Sequence, residues 1–207
     1  SASVAALPRS HGLREAISFT ESRQGMADDG RRVADRFGIQ LTLISRAAWQ
    51  SRHLAEIPFI AADAKGEDVY LSGAEHKLLG CVLLTGHYAG ALWQKESGAV
   101  DPEVVRKDRS GTSLTEYRLW AGFIHFPIGY MGARQAAEIN RITKSPEMAP
   151  WDVPGYSKPI PRRIVQEAGI PGNLFGVSKN AASVLFDARI DSLTSATCNE
   201  YYTWLRR

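Results

Sequence analysis

Chemistry in this chain would sit in a few short segments. Thr85-Gly86-His87-Tyr88-Ala89-Gly90 follows directly on the apolar run Cys81-Val82-Leu83-Leu84. Its two glycines let the backbone come close to a ligand, and Thr85 adds a hydroxyl. Ligands of open α/β sheets bind beyond the carboxyl ends of the strands, where this segment falls. A plain strand-to-helix turn has the same composition, since Gly-x-x-x-Gly alone is a weak signal. Ser18-Phe19-Thr20 ends another apolar run; it fits an exposed backbone edge beside a purine or an ordinary buried strand. A helix opening at Ser1 would offer free amides and a dipole to a phosphate.

Glu147 lies among rigid and apolar neighbours in Ser145-Pro146-Glu147-Met148-Ala149-Pro150-Trp151. Burial there would raise its pKa and suit it to act as a base; a loop or capping carboxylate is the alternative. Lys158, Arg162, Arg163 and Lys179 form a basic set that could clamp a polyphosphate or simply face solvent. His125, in Gly122-Phe123-Ile124-His125-Phe126-Pro127, fits a satisfied core histidine better than a catalytic one. The histidines lack metal-ligand spacing, so no metal site of the chain's own is expected. No Gly-x-Ser-x-Gly elbow, Walker loop or Gly-x-Gly-x-x-Gly occurs.

The elements that must position these residues alternate in the first half. Strands are expected at Ala16–Phe19, Ile39–Ile44 and Cys81–Thr85, the last apolar enough to be covered on both faces. Helices are expected at 1–7, ended by Pro8 and Gly12, and from an Asp28 or Asp29 cap to Gly38. Two more are expected, from Arg46 to about Ala55 and from Asp68 to Leu79. Strand–helix–strand crossovers of this length imply an α/β sheet of doubly wound type. The second half reads as helices at Leu114–Phe123, Met131–Ile142, Ile160–Ala168, Ala181–Ile190 and Asn199–Leu205. Six of the ten prolines (Pro146, Pro150, Pro154, Pro159, Pro161, Pro171) make the stretch between the second and fourth an ordered, helix-interrupted loop. The expected layout is one unit, with an α/β part over 1–110 and a mostly helical part over 111–207.

Composition narrows the classes. The 207 residues are 44% hydrophobic and 23% charged, which is globular and enough for a core without staples. Lysine plus arginine exceeds acid by 25 − 22 = +3, too little to argue for nucleic acid. Cys81 and Cys198 match no disulfide framework or zinc pattern. No run approaches the ~20 apolar residues of a membrane span, and the first residues lack a basic signal-peptide region. A reduced, cytoplasmic location without membrane or nucleic-acid partners is the expectation. The start inside helical material suggests that sequence has been cut away upstream.

Taken in order, these residues resemble the synthetase domain of asparagine synthetases and of the β-lactam-forming and lasso-peptide cyclases. These are PP-loop (N-type) ATP pyrophosphatases with a Rossmann-like fold. Ser1-Ala2-Ser3-Val4-Ala5-Ala6-Leu7 looks like the helix after that family's Ser-Gly-Gly-x-Asp-Ser loop, with Ser1 as the last serine. Ala16 to Ile44 is similar to the second strand, helix and third strand, including Val33-Ala34 and Phe37-Gly38. Leu84-Thr85-Gly86 with Trp93 resembles the Ser-Gly-Asp-Gly-Ala-Asp-Glu-Leu-Phe segment. Glu147 with Pro150-Trp151 resembles Glu-x-Arg-x-Pro-Phe, and Tyr156 to Ala182 resembles the lysine-bearing closing segment.

The resemblance implies ATP and Mg²⁺ as cofactors. It places Phe19 at the adenine, Thr85 and Gly86 at the nucleoside, and Ser1 and Ser3 at the phosphates. Lys179 would meet the α-phosphate or pyrophosphate, assisted by Lys158 or Arg162. Glu147 would help deprotonate an attacking amine, with Tyr117 as its partner. The implied reaction adenylates a small-molecule or peptide carboxylate, releases pyrophosphate and forms an amide with an amine or ammonia. An upstream domain or partner would supply the phosphate loop or the ammonia. The chain departs from the family where His87, Gly90 and Ala91 replace two aspartates and a glutamate, and where Ala149 replaces an arginine. Those losses suit a degenerate, non-catalytic nucleotide-binding or scaffold relative. A tRNA- or sulfur-modifying enzyme of the same superfamily is disfavoured by the missing cysteine pairs.

Overall fold

The computed structural model describes residues 2–22, 25, 30–51, 69–87, 89–95, 116–130, 132–175, 182 and 195–206. Among them the chain is mixed α/β, with two short parallel sheets of two strands each. Strand β1 (Glu15–Phe19) pairs with β2 (Gln40–Ile44), from Glu15↔Gln40 to Phe19↔Ile44. Strand β3 (Val82–Thr85) pairs with β4 (Ile124–Pro127), from Val82↔Ile124 to Thr85↔Pro127. The described helices are α1 (Ala2–Ala6), α2 (Arg31–Phe37), α3 (Glu75–Leu78), α4 (Ala89–Trp93), α5 (Glu116–Ala121), α6 (Ala136–Thr143), α7 (Pro159–Glu167) and α8 (Ser195–Leu205).

The period of two along a strand divides the core. Ile17 and Phe19 of β1 and Ile44 of β2 join Leu71, Leu78, Tyr117 and Phe123 in one apolar cluster. Ala16 and Leu41, which are register partners, turn to a second cluster with Val33, Phe37, Val165 and Ile170. Both faces of β1–β2 are therefore covered, as parallel strands require. The β3–β4 sheet differs. Leu83 enters the first cluster, but on the alternate positions Val82 and Ile124 are 57% and 58% exposed. Among the described residues the expected two-sided cover of this strand is not found, and Val82 and Ile124 stay exposed.

Helix ends follow local chemistry. Gly38, at φ 63°, closes α2 in the left-handed region, and the Ile39 N–H bonds back to the Ala34 carbonyl. The amino-terminal cap is Gly30; Asp28 and Asp29 lie outside the described residues. Two prolines, Pro159 and Pro161, fit the first turn of α7 because N–H groups there have no intrahelical partner.

Several expected boundaries shift. The chain continues past Pro8 as a 3₁₀ turn over Leu7–His11, since a proline near the start of a turn removes no needed donor. The helix expected over 68–79 is a 3₁₀ turn at Val69–Ala74 followed by α3. The one expected from Arg46 is a turn and then a 3₁₀ segment at Ala48–Ser51, beyond which the chain is outside the described residues. The helix expected at 181–190 also lies outside them, except Ala182. β4 falls in the half read as helical, because four residues ending in proline carry little strand signal. Among the described residues no helix is long and apolar enough to cross a membrane.

Leu78 is 2% exposed within the first cluster, whereas its neighbour Leu79 is 73% exposed. Leu78→Ala is expected to cost about 2–5 kcal/mol in urea unfolding. Leu79→Ala should stay within about 0.5 kcal/mol. Equal losses would place the core elsewhere.

Candidate functional site

The carboxyl ends of β3 and β4 are drawn together by a close backbone approach. After β4, Ile128–Tyr130 forms a 3₁₀ turn that packs on the start of α4. A Cβ on Gly129 would stand 2.6 Å from the Ala89 nitrogen and 2.7 Å from its Cα. Only glycine fits there, because backbone atoms cannot swing aside. The Gly86 carbonyl accepts from the Ala89 N–H at 3.2 Å and closes the turn leading into α4.

Thr85 ends β3 on this rim. The backbone N–H of His87 donates to its Oγ1 at 3.3 Å, and His125 Nε2 lies 2.5 Å from the same oxygen. Register explains the second contact: Leu83 pairs with His125 and Thr85 with Pro127, so Thr85 and His125 share a face. The His87 and His125 rings stand edge to face, with centroids 6.0 Å apart. Lys158 reaches this turn from the cap of α7, and a Cβ on Gly90 would stand 3.9 Å from its Nζ. Thus Lys158, distant in sequence, comes near Gly90 on the helix that follows Thr85-Gly86. From sequence His125 reads as a core residue sooner than a catalytic one; as Thr85's neighbour it becomes visible only when β4 is paired.

The other expected residues are distributed differently. Phe19 does end β1, but its ring packs edge-on to Tyr70 at 4.9 Å in the first cluster. Beyond it, Glu21 Oε1 accepts from the Ser45 hydroxyl at 3.4 Å. Arg46 Nε donates to the Ala182 carbonyl at 2.8 Å and ties the end of β2 to a point 136 residues further along the chain. Sequence reading missed Glu21, Ser45 and Arg46, although their places just after strand ends were a usable signal. Ser3 is half-buried in α1, while Ser1 and Lys179 lie outside the described residues.

Arg162 packs on aromatic rings. Its guanidinium sits 5.5 Å from the Tyr156 ring centroid and 5.4 Å from that of Phe175, close over Gly172. Burial raises the Tyr156 phenol above its ordinary value, and the Arg162 charge partly offsets this.

The burial expected of Glu147 is not found. Its side chain is 66% exposed and takes a 2.5 Å bond from Arg163, whose guanidinium also covers Trp151. Bonds to Glu147 and then Glu167 hold the Arg163 pKa above its usual range. The reason is local: the 3₁₀ turn Pro146–Trp151 buries Met148 and so turns Glu147 outward. Tyr117, by contrast, is wholly buried in the first cluster beside Phe123.

Compared with protein-family models, with curated proteins and with solved structures, the chain matches none.

Gly129→Ala is expected to lower stability by about 1–3 kcal/mol through backbone overlap. It should also shift the amide resonances of Thr85, Gly86 and His87; an unchanged spectrum would show that the approach is not tight. A second outcome concerns Tyr156. Its ultraviolet titration should have a midpoint above 10.0, moving higher in Arg162→Met. The folded protein holds this proton more tightly than the unfolded chain. The corresponding stability is present below the unfolded pKa and is lost as pH rises through the folded one. A midpoint at the free-tyrosine value would contradict the burial.

Proposed function

We propose that this chain is a nucleotide-binding α/β domain of the asparagine synthetase-like, PP-loop kind. It would use ATP to adenylate a carboxylate, release pyrophosphate and let an amine or ammonia form an amide. One observation carries the reading: Phe19 and Thr85-Gly86, the residues assigned to adenine and nucleoside, both fall at carboxyl ends of parallel strands, with Lys158 near Gly90, four residues after the second. The finer fold belongs to this proposal too. In a doubly wound order 3-2-1-4-5, β2-β1 and β3-β4 match the outer pairs, leaving position 1 between β1 and β3.

The residues present fit parts of ATP unequally. A hydroxyl, a glycine turn and an ammonium suit a ribose and a phosphate. Mg²⁺ needs oxygen ligands, and the segment from Thr85 to Lys95 contains no carboxylate. No group of three His, Cys, Asp or Glu suited to a metal occurs among the described residues. No step is therefore assigned to Mg²⁺ at this strand end. The same acid-poor segment favours a second reading, a relative that binds nucleotide without turnover.

Calorimetry with ATP and a pyrophosphate-release assay on the full-length protein separate these outcomes. ATP binding with release in the presence of a carboxylate and an amine is expected, and Lys158→Ala should weaken binding about tenfold. Binding without release supports the second reading. If neither binding nor release occurs, both are overturned.

A further inference from the structure

The Thr85 hydroxyl has one proton and two lone pairs to place. The His87 N–H already donates to Oγ1 at 3.3 Å, and His125 Nε2 stands 2.5 Å from it. If the hydroxyl gives its proton to Nε2, it shows the strand end a lone pair and can only accept. If Nε2 carries the proton and donates, both lone pairs are taken and the O–H must turn outward. The form of His125 thus decides whether the end of β3 receives a donor or presents one. A positive group stands near: Lys158 Nζ lies by Gly90, while Lys95 at the far end of the Thr85–Lys95 segment is paired with Asp152.

We propose that His125 is a positioning residue whose Nε2–H holds the Thr85 hydroxyl as a donor to a phosphoryl oxygen bound at the end of β3. The inference rests on the nucleotide reading and changes one assignment within it: the Thr85 hydroxyl serves a phosphoryl group instead of the nucleoside. His125 touches no ligand in this arrangement and acts through Thr85. It is part of the site because β4 pairs in a register that puts residue 125 diagonally across from residue 85.

The test uses the full-length protein with pyrophosphate as probe, followed by ATP. Thr85→Val and His125→Phe should each weaken pyrophosphate binding about tenfold, the scale of one hydrogen bond to a charged group. The double variant should be no weaker than Thr85→Val alone, because both substitutions remove one interaction. His125→Gln, whose amide N–H can stand in for Nε2–H, should recover binding to within about threefold of the parent. Long-range ¹⁵N–¹H spectra should show Nε2 protonated in the pyrophosphate-saturated protein, a readout that a packing role would not move. This reading stands even if His125→Phe fails to fold.

Additive losses, unaffected pyrophosphate binding in Thr85→Val, or an Nδ1-protonated His125 in the saturated protein would each overturn the proposal. So would a parent protein that does not bind pyrophosphate. Pyrophosphate binding of the expected pattern without ATP binding would keep this subsite and overturn the nucleotide reading. ATP binding indifferent to Thr85 and His125 would do the reverse.

Discussion

Parallel strands are as a rule covered on both faces, and at β1 and β2 that constraint organises what surrounds them. Alternate side chains on the two strands serve two apolar clusters, one built with Leu71, Leu78 and Tyr117, the other with Val33, Phe37 and Val165. Because parallel pairing needs a crossover, α2 is delivered to the second cluster, and α7 meets it there from more than a hundred residues away. Residues from Ala2 to Phe175 are thereby committed to the second cluster. The strand ends inherit their position from this arrangement.

The rim at β3 and β4 has a different support. There the first cluster covers one face, and the sheet is held at its carboxyl end by Gly129 against Ala89. Thr85 and His87 come there from the end of β3, His125 from β4, and Lys158 reaches neighbouring Gly90 from the cap of α7. Polar groups at such a place are directed by partners more than by their own sequence neighbours. A hydroxyl between two potential donors is the clearest case, since its proton has one direction left once both lone pairs are used. Glu147 shows the converse: a single turn aims it outward, and Arg163 then holds it there.

Local signals carried much of the layout. The apolar runs at 16–19, 39–44 and 81–85 are strands to within a residue or two, and Gly38 ends its helix in the left-handed conformation that the position demands. Thr85-Gly86 was legible as a strand end because it follows an apolar run and opens with small residues. What escaped was β4, where Ile124–Pro127 is too short for alternation to stand out, and the split of 69–78 into a 3₁₀ turn and a short α-helix. Helical periodicity is nearly the same for both, so spacing could not divide them.

Residue type and spacing determined the α/β alternation, the first three strands, the helix stops and the strand end at Thr85. Those features depend on contacts within a few residues, where side-chain period and backbone preference act directly. Tertiary structure alone decided that His125 joins Thr85, that Lys158 reaches Gly90 while Arg162 turns to Tyr156 and Phe175, and that Glu147 stays exposed. Each of these rests on the register of a strand pair or the packing of a helix on distant segments, which no local pattern encodes.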